Sequence, residues 1–167
     1  MSLSFLPRVM AERVTDLSAK WLTRQGVQLL MLDFDNTLIP YTTNEPTKAV
    51  LQWLASVRQA GIVVCVVSNS RKRRVQDFCE KYGLACVTHA NKPGKQGIRR
   101  CMALFSARPE QSMLVGDQIY TDVLGANRCG VRSVLVRSIH NHNFWLKARH
   151  VLEKPFIFAA RKRRISL

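Results

Sequence analysis

Apolar residues occur along this chain in short unbroken blocks, separated by stretches where they recur every third or fourth position. LLMLDF (29–34) and IVVCVVS (62–68) are too short and too uniformly apolar for amphipathic helices, and predict strands buried on both faces. ACVTHA, SMLVGD and SVLVR read the same way. Between the blocks, Val50, Leu51, Leu54 and Val57 mark one face of a helix over 47–60, closed by Gly61. Val75, Phe78, Cys79 and Tyr82 mark a helix over 71–82 ending at Gly83, and Ile98, Cys101, Met102 and Phe105 mark another. A further helix over 121–129 stops at Gly130. Upstream, Leu6, Val9, Met10, Val14, Leu17 and Trp21, with Arg8, Arg13 and Lys20 among them, predict an amphipathic helix over 5–22.

Strand–helix alternation with continuously apolar strands predicts an α/β protein, a doubly wound parallel sheet with helices on both faces. The expected organisation is an N-terminal amphipathic helix (1–26) on or beside the core, a catalytic core (27–138), and a basic, aromatic C-terminal extension (139–167).

Composition fits one such domain. A chain of 167 residues, 47% apolar and 22% charged, is globular rather than disordered. No run of about 18 apolar residues is present to span a bilayer. Glu12 and Asp16 argue against a secretory signal or an acid-poor transit peptide, so the expected setting is cytoplasmic or the cytosolic face of a membrane. Five cysteines, Cys65, Cys79, Cys86, Cys101 and Cys129, form no C-x-x-C pair and read as reduced structural thiols. The net charge of +15 does change the picture: a field of that size favours anionic partners, whether nucleic acid, acidic lipid or phosphorylated ligands. It concentrates in Arg71-Lys72-Arg73-Arg74 and in residues 132–167, although a solvated basic face would look the same.

Candidate chemistry lies at the strand ends, where open parallel sheets bind ligands. One strand runs out into Asp33-Phe34-Asp35-Asn36-Thr37, the next into Ser68-Asn69-Ser70, the third into Asn91-Lys92-Pro93, and the fourth into Gly116-Asp117-Gln118 followed by Thr121-Asp122. Carboxylates can serve as nucleophile, general acid/base and ligands of a hard divalent ion such as Mg²⁺, while lysine and small polar groups stabilise a transferring phosphoryl group. Each feature has a plainer counterpart. Asp35 and Asp122 also fit helix N-caps, Ser68-Asn69-Ser70 fits a turn, and Gly116 and Gly125 fit tight packing. His89, His140, His142 and His150 lack metal-site spacing and read as non-catalytic.

DFDNT, SNS, Lys92 and GDQIYTD, in that order, resemble the four motifs of the haloacid dehalogenase (HAD) superfamily of phosphohydrolases over roughly residues 27–137. LDFDNTL…VSNS…KP…VGDQ…TDVLGANR resembles more narrowly its subclass IIIA, YqeG-type branch, related to phosphatidylglycerophosphate phosphatases. The resemblance implies Asp33 as nucleophile and Mg²⁺ ligand, and Asp35 as general acid/base whose backbone carbonyl also touches the metal. It implies that Thr37 steadies Asp35, that Ser68 and Asn69 hold phosphate oxygens, and that Lys92 neutralises the nucleophile and phosphoryl group. It implies that Asp117 completes the metal site, with Asp122 as a further metal ligand or a support directly behind the ligands. Lys95 is a rival for the lysine role, and the adjacent Pro93 favours Lys92.

Only 32 residues separate Asp35 from Ser68, and 23 separate Ser68 from Lys92, too few for the cap domain of many HAD phosphatases. An uncapped site suits a phosphate presented on something large. The expected function is a Mg²⁺-dependent phosphomonoesterase acting on phosphatidylglycerophosphate, its lipid head group presented at an anionic membrane surface. The basic termini with Trp21, Phe144, Trp145, Phe156 and Phe158 favour that surface. The alternatives are a soluble HAD phosphatase acting on a protein, nucleotide or nucleic-acid phosphate, and an RNA- or ribosome-associated binding protein with a HAD core.

Overall fold

A computed structural model describes residues 4–139. Six strands, β1 (Val9–Ala11), β2 (Leu29–Leu32), β3 (Val63–Val67), β4 (Ala85–Val87), β5 (Ser112–Gly116) and β6 (Arg132–Val136), form one sheet in the order β1-β6-β5-β2-β3-β4. Every pairing is parallel. Five helices join them: α1 (Ala19–Arg24), α2 (Lys48–Gln59), α3 (Arg74–Tyr82), α4 (Gln96–Leu104) and α5 (Leu124–Arg128). The doubly wound α/β class expected from the sequence is the one observed.

Side-chain alternation along the strands explains the uniformly apolar blocks. In β2, Leu30 and Leu32 enter a core with Trp53, Leu54 and Val57 of α2 and Val75 and Phe78 of α3. Leu29 and Met31 enter the opposite core, with Ile98, Cys101 and Met102 of α4 and Ala126 of α5. Every residue of β2 is buried, so a polar side chain within it would lose hydration with no gain. Thr47 caps α2, its hydroxyl accepting the Val50 N–H at 3.3 Å, and Gly83 ends α3 in the left-handed conformation.

The N-terminal expectation is corrected. Residues 5–22 are not one amphipathic helix: Val9–Ala11 is an edge strand paired with β6, Val14–Asp16 is a single 3-10 turn, and only Ala19–Arg24 is α-helical. Val9 and Ala11 pack toward one core and Met10 toward a small cluster on the other side, which is strand alternation. Val14, Leu17 and Leu22 are buried in the main core, and the Leu17 carbonyl accepts the indole N–H of Trp53 at 2.7 Å. The apolar face is therefore internal, and the sheet begins before residue 27. The C-terminal extension lies outside the described residues from residue 140 onward.

The order of connections reverses once. From β2 the chain builds outward through β3 to β4, then crosses back to place β5 on the other side of β2. The crevice at the carboxyl ends of β2 and β5 is the switch point where such sheets bind ligands.

Candidate active site

Asp33 follows β2 and Asp117 follows β5, neighbouring strands of one sheet, so backbone pairing alone brings the two carboxylates together. The Asp33 N–H donates to the Val115 carbonyl at 2.9 Å, extending the ladder one residue past β2. Beyond Asp117 the chain makes a π-helical turn, Ile119–Val123, in which the N–H groups of Asp122 and Val123 both donate to the Gln118 carbonyl, at 2.9 and 3.2 Å. Such wide turns are frequent at functional sites. This one turns Asp122 back over β5, where its Oδ2 accepts the Gln118 N–H at 3.1 Å. A Cβ at Gly116 would overlap the Asp122 carboxylate, so only glycine admits this arrangement. Asp33, Asp117 and Asp122 each offer an oxygen within 4.8 Å of the others.

Lys92 enters the group from the segment after β4. Its Nζ lies 2.6 Å from Asp33 Oδ1 and 2.7 Å from Asp122 Oδ1, and donates to the Val67 carbonyl at 2.7 Å. Its side chain is 1% exposed. Burial works to lower the pKa of this ammonium, but the Asp122 and Asp33 charges outweigh it and hold Lys92 above its ordinary value. Burial pushes Asp33 up to about 7 against the attraction of Lys92, with the Asp122 charge adding to the rise. Burial, then the charges of Asp33 and Asp122, also raise Asp117 well above the usual carboxylate range.

Three carboxylates against one ammonium leave this pocket short of positive charge. Among the described residues no well-formed hydrogen bond meets the buried Asp117 Oδ1, and such a carboxylate oxygen is costly unless a cation meets it. The donor set is all oxygen, the preference of hard divalent ions. The residues present fit a divalent metal held by Asp33, Asp117 and Asp122.

The remaining expected residues fall around this centre. Ser68, buried at the end of β3, accepts the Ser70 N–H on its hydroxyl oxygen at 3.1 Å, leaving its own proton free to donate to a ligand. Asn69, expected to hold phosphate, instead has both ends of its amide on the Lys92 backbone. Nδ2 donates to the Lys92 carbonyl at 2.8 Å, and Oδ1 accepts its N–H at 2.7 Å. Thr37, expected to steady Asp35, is buried, and its hydroxyl makes no hydrogen bond among the described residues. Lys92, not Lys95, reaches the carboxylates; Lys95 stands at the start of α4. Gly125 packs against Ile98 and Pro93, as the packing alternative expected.

Asp35 is set apart from the three carboxylates and pairs with Arg74 Nη1. Between Asp33 and α2 the chain makes a tight turn: Asn36 adopts a left-handed conformation (φ 61°) that asparagine tolerates, and its Oδ1 accepts the Tyr41 N–H at 3.2 Å. Sequence reading missed Arg74, which stood in a run of four basic residues. The only local signal was that one of the four had to face inward on α3.

Fold and carboxylate centre together define a phosphatase of the haloacid dehalogenase kind. Comparison with known proteins bears on this at three levels. A family model described as HAD-hydrolase-like matches residues 89–153. The Bacillus subtilis protein named "Probable phosphatase YqeG" is 32% identical over 132 residues, 79% of this chain and 77% of that one. Among solved structures, the cobalt-bound deoxy-D-mannose-octulosonate 8-phosphate phosphatase of Haemophilus influenzae superposes with a TM-score of 0.56 at 15% identity, over 77% of this chain and 89% of that chain. The 3-deoxy-D-manno-octulosonate 8-phosphate phosphatase of Yersinia pestis gives a TM-score of 0.54 at 16% identity, over 77% and 73%. The chain belongs to the haloacid dehalogenase superfamily, in its YqeG-type branch, and is a phosphoric monoester hydrolase.

Proposed function

We propose that the chain is a Mg²⁺-dependent phosphomonoesterase working through an aspartyl-phosphate on Asp33. The observation that carries this reading is the buried cluster in which Lys92 bridges Asp33 and Asp122 while Asp117 Oδ1 accepts no well-formed hydrogen bond from the described residues. Mg²⁺ held by Asp33, Asp117 and Asp122, and by the Asp35 backbone carbonyl, would offset the charge of nucleophile and phosphate as they approach.

The chain's own residues account for the rest. Lys92 fixes one Asp33 oxygen, leaving the other to attack phosphorus as the ester P–O bond breaks. Asp35 gives its proton to the departing ester oxygen, then takes one from the water that attacks the phosphoenzyme and restores Asp33. The Ser68 hydroxyl donates to a phosphoryl oxygen.

Among the described residues, no inserted domain covers the carboxyl end of the sheet: β2 leads to α2 and β3 to α3 through loops alone. An open site of this kind admits a phosphomonoester carried on a large body, and phosphatidylglycerophosphate is the substrate that the family resemblance favours. The N-terminal segment gives the lipid reading no support, because its apolar residues are internal. Support from the C-terminal segment rests on its sequence alone.

A phosphate-release assay tests both parts. Asp33→Asn should abolish hydrolysis of an aryl phosphate with the fold retained, and surviving activity would exclude Asp33 as nucleophile. Phosphatidylglycerophosphate in anionic vesicles should outpace soluble phosphoesters. A preference for a soluble ester would move the substrate to a protein, nucleotide or nucleic-acid phosphate.

A further inference from the structure

Arg74, the first residue of α3, differs from the basic residues before it. The Arg73 side chain is 85% exposed and pairs with Asp77 of α3, whereas the Arg74 side chain is 18% exposed and turns inward. Its Nη1 pairs with Asp35 Oδ1. Nη2 donates to the carbonyls of Pro40 at 3.0 Å and Thr43 at 2.5 Å, and Nε donates to Asn44 Oδ1 at 2.7 Å. The guanidinium lies 4.8 Å over the Phe34 ring and 5.6 Å from that of Tyr41. One side chain thus binds both ends of the segment 34–44, which begins directly after Asp33. A lysine could supply the charge but not the fork that satisfies a carboxylate, two carbonyls and an amide at once.

Only one oxygen of Asp35 is engaged by Arg74. The Asp35 side chain, 25% exposed, would otherwise sample more than one rotamer, and general acid/base catalysis depends on placing it within hydrogen-bond reach of the proton it moves.

We propose that Arg74 is a positioning residue for the hydrolysis. It holds Asp35 and the 40–44 turn as one unit, so that the second Asp35 oxygen meets first the departing ester oxygen and then the attacking water. This rests on the reading of Asp33 as nucleophile and Asp35 as acid/base. Arg74 itself forms and breaks no bond.

The test is rapid-quench kinetics on the full chain with saturating Mg²⁺, using p-nitrophenyl phosphate and glycerol 3-phosphate. The variants are Arg74→Ala and Arg74→Lys, with thermal melting to confirm folding. Nitrophenolate leaves without a proton, so its release should survive in Arg74→Ala, while water attack on the phosphoenzyme should slow by roughly 10- to 100-fold. A burst of one nitrophenolate per site followed by slow turnover is expected. Glycerol 3-phosphate should give no burst, because its poor leaving group needs the proton. Arg74→Lys should recover part of the lost rate. Equal losses on both substrates without a burst, or unchanged kinetics in Arg74→Ala, would overturn the proposal. A wild-type enzyme that forms no hydroxylamine-labile phosphoenzyme would remove the nucleophile reading and the proposal with it, a failure seen without any Arg74 variant.

Discussion

The side-chain amide of Asn69 closes a ring of two hydrogen bonds, 2.7 and 2.8 Å, on the backbone of Lys92. Those residues follow β3 and β4 respectively, and the ring sets the height at which the Lys92 side chain enters the carboxylate cluster. Asn69→Ala should cost about 1–3 kcal/mol of stability, the usual range for leaving buried polar groups unpaired. It should also lower phosphatase activity roughly 10- to 100-fold, as loss of a supporting hydrogen bond around a charged centre commonly does. Chemical denaturation and steady-state kinetics on the same preparation check both, and full activity would mean that Lys92 needs no such support.

Gly116→Ala addresses the opposite wall. A methyl group there overlaps the Asp122 carboxylate, and overpacking of this kind costs about 1–3 kcal/mol. With Asp122 displaced, Mg²⁺ binding measured by calorimetry should weaken by at least about 10-fold. Unchanged metal affinity would take Asp122 out of the coordination sphere.

The raised pKa of Asp33 gives a signed pH dependence in metal-free protein. Folded Asp33 titrates at about 7 against a reference value of 3.8, so between those values the folded state binds the extra proton. Its contribution to stability is therefore fully present below about pH 4 and is lost as pH rises through 7. Asp117 shifts in the same direction. In EDTA, Asp33→Asn should gain melting temperature relative to wild type from pH 4 to 8, and a flat difference would contradict the shift. Adding Mg²⁺ should reverse the wild-type loss at high pH and restore the activity that EDTA removes.

Leu17 is fully buried and lies in a segment whose spacing first suggested a surface helix. Leu17→Ala should cost about 2–5 kcal/mol, the cost of a large-to-small change in a packed core. Sedimentation with anionic liposomes should not change. A stable variant with weakened liposome binding would return this segment to the membrane surface.

Most of the sheet was legible because β2, β3 and β5 are buried on both faces, which forces unbroken apolar runs that few other structures tolerate. β1 was not legible. Three residues at the edge carry too little pattern, and the spacing of Val9, Met10, Val14 and Leu17 satisfies a helical period as readily as it does a strand, a 3-10 turn and a short helix in succession. Asp33 and Asp117 could be placed because each directly follows a strand, and Lys92 and Asp122 because each lies within six residues of a strand end. Arg74 could not, since its partner Asp35 is 39 residues earlier and only the packing of α3 selects it from four basic neighbours. Asn69 was placed at the right strand end, but no local pattern shows that its amide also bonds the Lys92 backbone.

The pairing of β1 with β6 has a consequence for synthesis. Phe5 stacks edge-on against Tyr120, in the turn that carries Asp122, and Asn127 Nδ2 donates to the carbonyls of Ser4 and Leu6 at 2.6 and 3.0 Å. These residues thus find their partners in segments more than a hundred positions further along the chain, which leaves an apolar strand unpaired until those segments have emerged. Asp33 and Asp35 are made well before that pairing, yet the wall behind Asp122 closes only when β6 emerges, so the carboxylate cluster is completed much later than its first members are made.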